Sequence, residues 1–79
     1  MAMIGSFKKV QGTAKIRVSE VECDWLTVED AARGRVLVLR TMGSQGRRGG
    51  RRPSQVIELD HDGASQLARI LRESFPDLW

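Results

Sequence analysis

The amino-acid sequence predicts a small α+β protein, in which one C-terminal helix covers a small curved antiparallel sheet of about four strands. Three observations favour this class. Several short segments before residue 60 alternate apolar and polar residues or run apolar without a break, which is typical of strands. Only the segment after residue 60 repeats apolar residues at helical spacing. A polar, arginine-rich stretch at residues 43–54 forms a long basic loop between the last two predicted strands.

The length of 79 residues allows one domain with a thin core. A chain of this size buries only roughly 60% of its unfolded surface, and a single cysteine permits no internal disulfide. Small domains without such a crosslink are often stabilised by oligomerisation, so we expect a homodimer. We divide the chain into an N-terminal arm or edge strand at residues 1–13 and one α+β domain at residues 14–79.

The lone Cys23 favours a reducing compartment. The first nine residues lack the apolar stretch and the charge order of a secretory signal. No window approaches the ~20 apolar residues of a membrane span. We therefore expect a cytoplasmic protein that does not contact membranes.

The first predicted strand with a clear pattern is Ala14–Val21. Ala14, Ile16 and Val18 would lie on one face, with Lys15 and Arg17 on the other. Lys15 and Arg17 give that strand a basic outward face.

Three further strands are expected. Trp25–Glu29 is rich in residues that favour strands, and Asp30 to Gly34 has the composition of a turn. Arg35–Thr41 contains four consecutive apolar residues, which predicts a central strand buried on both faces. Gln55–Leu59 is the last strand.

The helix is expected from His61 to Phe75. Asp60 is suited to the N-cap, and Asp62 to the positive end of the helix dipole. Pro76 ends the helix because it restricts the preceding residue and has no N–H. The apolar stripe consists of Ala64, Leu67, Ala68, Leu71 and Phe75, widened by Ile70.

The loop at residues 43–54 carries Arg47, Arg48, Arg51 and Arg52 among glycines, with no carboxylate. Including Arg40, residues 40–54 contain five arginines, whereas the rest of the chain has eight basic and ten acidic residues. All the excess positive charge therefore lies in one segment. A flexible segment of this kind is typical of phosphate binding, with a steep dependence on salt.

The sequence also resembles a known family. The segments Trp25–Asp30, Gly34–Arg40, Val56–Asp60 and Ala64–Leu67 are similar to those of the positive-cofactor-four family, over roughly residues 15–74. This family comprises small transcriptional coactivators and phage or bacterial relatives that bind single-stranded DNA.

The resemblance implies a dimer that grips DNA backbones with a curved β surface. By position, Arg35 and Arg40 match the basic strand residues of the family, and Arg47 to Arg52 match its basic loop. The family often has aromatic residues after the strand arginine, where this chain has Thr41 and Met42. Aromatic stacking is a main source of affinity for single strands.

Trp25 is most simply explained as a core or dimer-interface residue, with base stacking as the alternative. Phe75 and Trp79 are expected to pack at the helix end or at an interface. Cys23 and His61 are each the only residue of their type, so neither a zinc site nor a catalytic pair is expected. We expect no cofactor and no enzymatic activity.

The sequence thus favours a small nucleic-acid-binding protein. Single-stranded DNA is the favoured ligand and RNA a possible one, with a role in transcription or replication. The candidate contacts are Arg47, Arg48, Arg51, Arg52, Arg40, Arg35, Lys15 and Arg17, with Trp25 as the candidate stacking residue. The alternative is a protein–protein interaction module, or a phage or plasmid inhibitor, whose basic loop docks on an acidic protein surface. A third hypothesis is a subunit of a larger assembly.

Overall fold

The computed structural model describes residues 1–16, 20–42 and 53–79. The elements in chain order are β1 Ala2–Met3, β2 Cys23–Asp30, β3 Gly34–Met42, β4 Pro53–Leu59 and the helix α1 His61–Ser74. The strands form one sheet in the order β1-β4-β3-β2. The predicted α+β class, with four strands and one C-terminal helix, is therefore confirmed.

The sheet is mixed, whereas the sequence predicted an antiparallel one. β3 pairs antiparallel with β2 and with β4, but β1 runs parallel to β4. The first and last strands are far apart in the chain, so no tight hairpin forces them to run in opposite directions.

The predicted strand at Ala14–Val21 is wrong within the described part of that segment. Residues 14–16 and 20–21 are irregular and exposed, and Ile16 is 84% exposed. Of the apolar side of the pattern, the described residues Ala14 and Ile16 are not covered by another element. Alternation alone does not stabilise a strand without a surface on which to pack. Residues 1–13 were expected to form an arm or an edge strand, and Ala2–Met3 forms an edge strand beside β4.

A tight turn joins β2 to β3. The carboxylate Oδ2 of Asp30 accepts hydrogen bonds from the backbone N–H groups of Ala32 (3.0 Å) and Arg33 (2.9 Å). Gly34 follows with φ of 76°, a left-handed conformation that favours glycine. The turn therefore forms where the sequence predicted it.

The core is small and centres on β3. The buried apolar residues of the described chain are Val36, Val38, Met42 and Leu59. In β3 the buried Val36 and Val38 alternate with the half-buried Leu37. β3 is thus a central strand, as predicted, but only one of its faces is fully covered.

The helix begins with the predicted cap. The Asp60 side-chain Oδ1 accepts a hydrogen bond from the backbone N–H of Gly63 at 2.9 Å. Leu67 and Leu71 are half-buried, whereas Phe75 is 56% exposed and lies just beyond the last helical residue. No helix in the described ranges is long and apolar enough to cross a membrane.

The N-terminal segment is tied to both the sheet and the helix. Ile4 N–H donates to Glu58 O at 2.9 Å, and Phe7 N–H donates to Gln66 Oε1 at 3.2 Å. Gly63 is the one buried residue of α1, and a Cβ there would lie 3.0 Å from Ile4 O. A glycine inside the helix thus permits the close approach of the N-terminal backbone.

Candidate nucleic-acid interface

β3 and β4, which precede and follow the basic segment, are held together by side-chain hydrogen bonds at the strand ends next to that segment. Residues 43–52 lie outside the described residues, between Met42 of β3 and Pro53 of β4, which pair with each other. Beside them, the hydroxyls of Thr41 and Ser54 are 2.8 Å apart, and Ser54 Oγ also donates to Thr41 O at 3.2 Å. A register irregularity at Thr41 and Met42 marks the same place. The ends of β3 and β4 next to the basic segment are therefore held in place, a feature that the sequence did not predict.

Among the described strand residues, Arg40 is the cation nearest to these strand ends. Its Nη2 lies 3.9 Å from Oδ2 of Asp24, the residue opposite it in β2. The two side chains are 40% and 39% exposed. Arg40 Nε is buried and has no hydrogen-bond partner among the residues that the structure describes. An unpaired buried donor costs about 1–3 kcal/mol, so this guanidinium is poorly satisfied in the free chain.

Arg35 does not form one basic face with Arg40. Side chains alternate between faces along a strand, so positions 35 and 40 point to opposite sides of the sheet. They are also roughly 17 Å apart along the strand at about 3.4 Å per residue. Arg35 Nε is paired with Glu29 Oε2 at 3.1 Å. Arg35 and Arg40 therefore do not share a surface of the sheet.

The remaining predicted contacts are only partly described. Lys15 is exposed but lies in an irregular segment, so it does not belong to a strand face. Arg17 lies outside the described residues, as do the loop residues Arg47, Arg48, Arg51 and Arg52.

Trp25 is not a core residue, since it is 70% exposed. It pairs with Leu39, which in turn pairs with the half-buried Ile57. These three residues share a face, and Arg40 is on the other one. A base stacked on Trp25 would therefore be separated from the Arg40 guanidinium by the β2 edge of the sheet.

A second cationic surface, which the sequence analysis missed, lies beside α1. The groove between the N-terminal segment and α1 has a volume of about 690 Å³ and is lined by Phe7 and Ile70. Its charged residues are Lys8, Lys9, Arg69 and Glu73, and the Glu73 carboxylate pairs with Lys9 at 3.0 Å. Only the fold brings residues 7–9 beside residues 66–74, so the sequence had no local signal for this groove.

Cys23 and His61 are both exposed and lie in different elements. Across the described ranges, no group of three or more histidine, cysteine or acidic residues is placed to hold a metal ion. The chemistry offered by the described site is that of guanidinium groups, which bind phosphate through paired, charge-assisted hydrogen bonds.

No family model, no curated protein and no solved structure matches this chain.

Proposed function

We propose that this protein binds single-stranded nucleic acid, with DNA preferred, through its basic loop and Arg40. The observation that carries the proposal is the position of Arg40 two residues before Met42, the last residue of β3, from which the arginine-rich segment leaves the sheet. The loop supplies four further arginines without a neighbouring carboxylate. Contacts of this type recognise phosphates, so sequence specificity should be low.

The Arg40 guanidinium supports this proposal through its incomplete pairing. Arg40 lies 3.9 Å from Asp24, and its buried Nε has no partner among the described residues. Turning towards a phosphate would therefore break a weaker interaction than it would for an arginine in a short ion pair. Arg35, held at 3.1 Å by Glu29, is the contrasting case.

The preference for single strands and the role in transcription or replication follow from the resemblance to the positive-cofactor-four family. We also propose a cytoplasmic location, because a lone cysteine in the sequence favours a reducing compartment. It acts by binding, without catalysis and without a cofactor.

The test is fluorescence anisotropy of a labelled single-stranded DNA oligonucleotide over a salt series. Replacing Arg47, Arg48, Arg51 and Arg52 with Ala should reduce the slope of log affinity against log salt by about 3, at roughly 0.7 per lost phosphate contact. Competition by unlabelled single-stranded RNA and duplex DNA in the same assay ranks the three ligands by affinity.

A variant of matched charge is the control. Lys8, Arg33, Arg69 and Arg72 are all exposed, and changing these four to Ala removes the same charge elsewhere. The proposal requires the loop variant to lose far more affinity than this control. Equal losses, or no binding by the unmodified protein at low salt, would contradict it. Capture of an acidic protein from nuclease-treated lysate, without DNA binding, would favour the protein-docking alternative.

A further inference from the structure

The open edge of β2 is the most accessible pairing surface of the sheet. Within the described residues, β2 is the terminal strand in the order β1-β4-β3-β2 and pairs with β3 alone. The helix contacts β3 and β4, not β2. The edge spans eight residues, Cys23–Asp30, and contains no proline, lysine or bulge, three of the devices with which proteins protect an edge. Its charged residues are the carboxylates Asp24, Glu29 and Asp30.

The hydrogen-bond pattern shows which main-chain groups point outward. Met42 N–H donates to Glu22 O at 2.9 Å, in register with the β2–β3 ladder. The direction of the main-chain N–H and C=O groups alternates from one residue to the next along a strand. Even-numbered residues of β2 therefore turn these groups towards β3. The odd-numbered residues turn theirs to the open edge. These residues are Cys23, Trp25, Thr27 and Glu29.

We propose that β2 pairs antiparallel with β2 of a second copy about a two-fold axis at Leu26, forming one continuous eight-stranded sheet. In this register Trp25 pairs with the partner's Thr27, and Cys23 with the partner's Glu29. All four outward residues of each strand are then used, giving about eight inter-chain hydrogen bonds at two per pair. The proposal is independent of the nucleic-acid ligand.

Neighbouring registers are less favourable. An axis at Thr27 places Asp24 opposite the partner's Asp30, a like-charge pair. An axis at Trp25 leaves Glu29 opposite Val21, which lies outside the strand. With the axis at Leu26, Asp24 lies opposite the partner's Val28. The like-charge pair that remains, Asp30 with the partner's Glu22, lies at the two ends of the paired segment, where Glu22 is just outside the strand.

The side chains also favour a second copy over nucleic acid as the occupant. Residues 20–30 hold five carboxylates and no basic residue, so this edge repels phosphates. Two of the five are already paired with arginines of β3, Asp24 with Arg40 and Glu29 with Arg35, which lowers the repulsion between two copies.

The exposure of one aromatic residue on this edge supports a partner of this kind. Trp25, 70% exposed, would lie diagonal to the partner's Trp25, within reach of an aromatic contact.

The test begins with sedimentation equilibrium on the protein without nucleic acid. We expect twice the chain mass of 8.8 kDa. Thr27→Pro removes an outward N–H without touching the β3 ladder, so it should give a folded monomer, with Thr27→Val as the dimeric control. A monomeric unmodified protein, or a Thr27→Pro variant that stays dimeric, would overturn the proposal.

The register is tested by crosslinking in a Cys23→Ser background. A Leu26→Cys variant should form an inter-chain disulfide readily, because paired residues at the axis have Cα atoms about 4.5 Å apart. Trp25→Cys and Thr27→Cys report the two neighbouring registers, and preferential crosslinking of either would overturn the axis at Leu26. Hydrogen exchange on the unmodified protein is the check that needs no substitution. The outward amides of Trp25 and Thr27 should be protected at high protein concentration and lose that protection on dilution, and equal exchange at both concentrations would contradict the proposal.

Discussion

Arg40 and Asp24 face each other across β3 and β2, with 3.9 Å between Nη2 and Oδ2, while Nε of the same arginine is buried without a partner among the described residues. This pair joins the proposed phosphate-binding residue to an acidic strand. Under the proposed function, the carboxylate would compete with a phosphate for the guanidinium. Its removal therefore tests whether Arg40 takes part in binding.

Asp24→Asn should raise the affinity for single-stranded DNA by a factor of about 1.4 to 5, the range expected when a partly exposed ion pair worth ~0.2–1 kcal/mol is lost. Arg40→Gln should weaken binding and lower the salt slope by about 0.7, the value for one phosphate contact. Both are measured by anisotropy on proteins shown by circular dichroism to be folded.

Arg35→Gln is the matched control for Arg40→Gln, since Arg35 lies in the same strand but on the opposite face and is paired with Glu29 at 3.1 Å. Its affinity should stay within about twofold of the unmodified protein. Equal losses from both substitutions would show that general charge, and not the position of Arg40, controls binding.

The sequence predicted the elements whose signals are local. The Asp60 cap, the Gly34 turn and the apolar run of β3 each depend on a few adjacent residues. The predicted strand at Ala14–Val21 was wrong because an alternating pattern does not show which element would cover its apolar side. Arg35 and Arg40 lie on opposite faces because they are an odd number of residues apart in one strand.

Other features depend on contacts between distant residues. The parallel pairing of Ala2–Met3 with β4 and the groove beside Arg69 bring together chain segments more than fifty residues apart. Trp25 was expected in the core or at a dimer interface. It is not in the core, because a thin sheet with few covering elements leaves its edge strand exposed.

Gly34→Ala should destabilise the protein by about 1–2 kcal/mol, the cost of a left-handed conformation for a residue with a Cβ. No atom lies within 4 Å of the added Cβ, so the effect isolates the backbone conformation. Urea unfolding provides the measurement. Gly5 has equally open surroundings but no positive φ, so Gly5→Ala should lower the free energy of unfolding much less. Equal losses of stability in the two variants would contradict the proposed strain at position 34.

Asp60→Ala should lower the free energy of unfolding by about 1 kcal/mol, because the side chain satisfies the otherwise unpaired N–H of Gly63. Asp60→Asn retains an oxygen acceptor and should recover most of the stability. Thermal unfolding followed by circular dichroism at 222 nm compares the two. If Asn were as destabilising as Ala, the capping hydrogen bond would not be the cause.

Gly63→Ala separates helix propensity from tertiary contact. In an exposed helix this change gains about 1 kcal/mol. Here the new Cβ would lie 3.0 Å from the Ile4 carbonyl oxygen and 3.3 Å from Leu59 Cδ2, so the N-terminal backbone must shift. We expect a net loss of stability, together with faster exchange of the Ile4 amide, which donates to Glu58 O in the unmodified protein.

Ser65→Ala is the control for this substitution, because Ser65 is exposed two residues further along α1 and makes no contact with the N-terminal segment that the structure describes. It should be neutral or slightly stabilising, with Ile4 exchange unchanged. If the Gly63→Ala protein were as stable as the Ser65→Ala protein, the N-terminal strand would shift at little cost in free energy. In that case β1 would be a weakly held edge, and the glycine would not be needed for its docking.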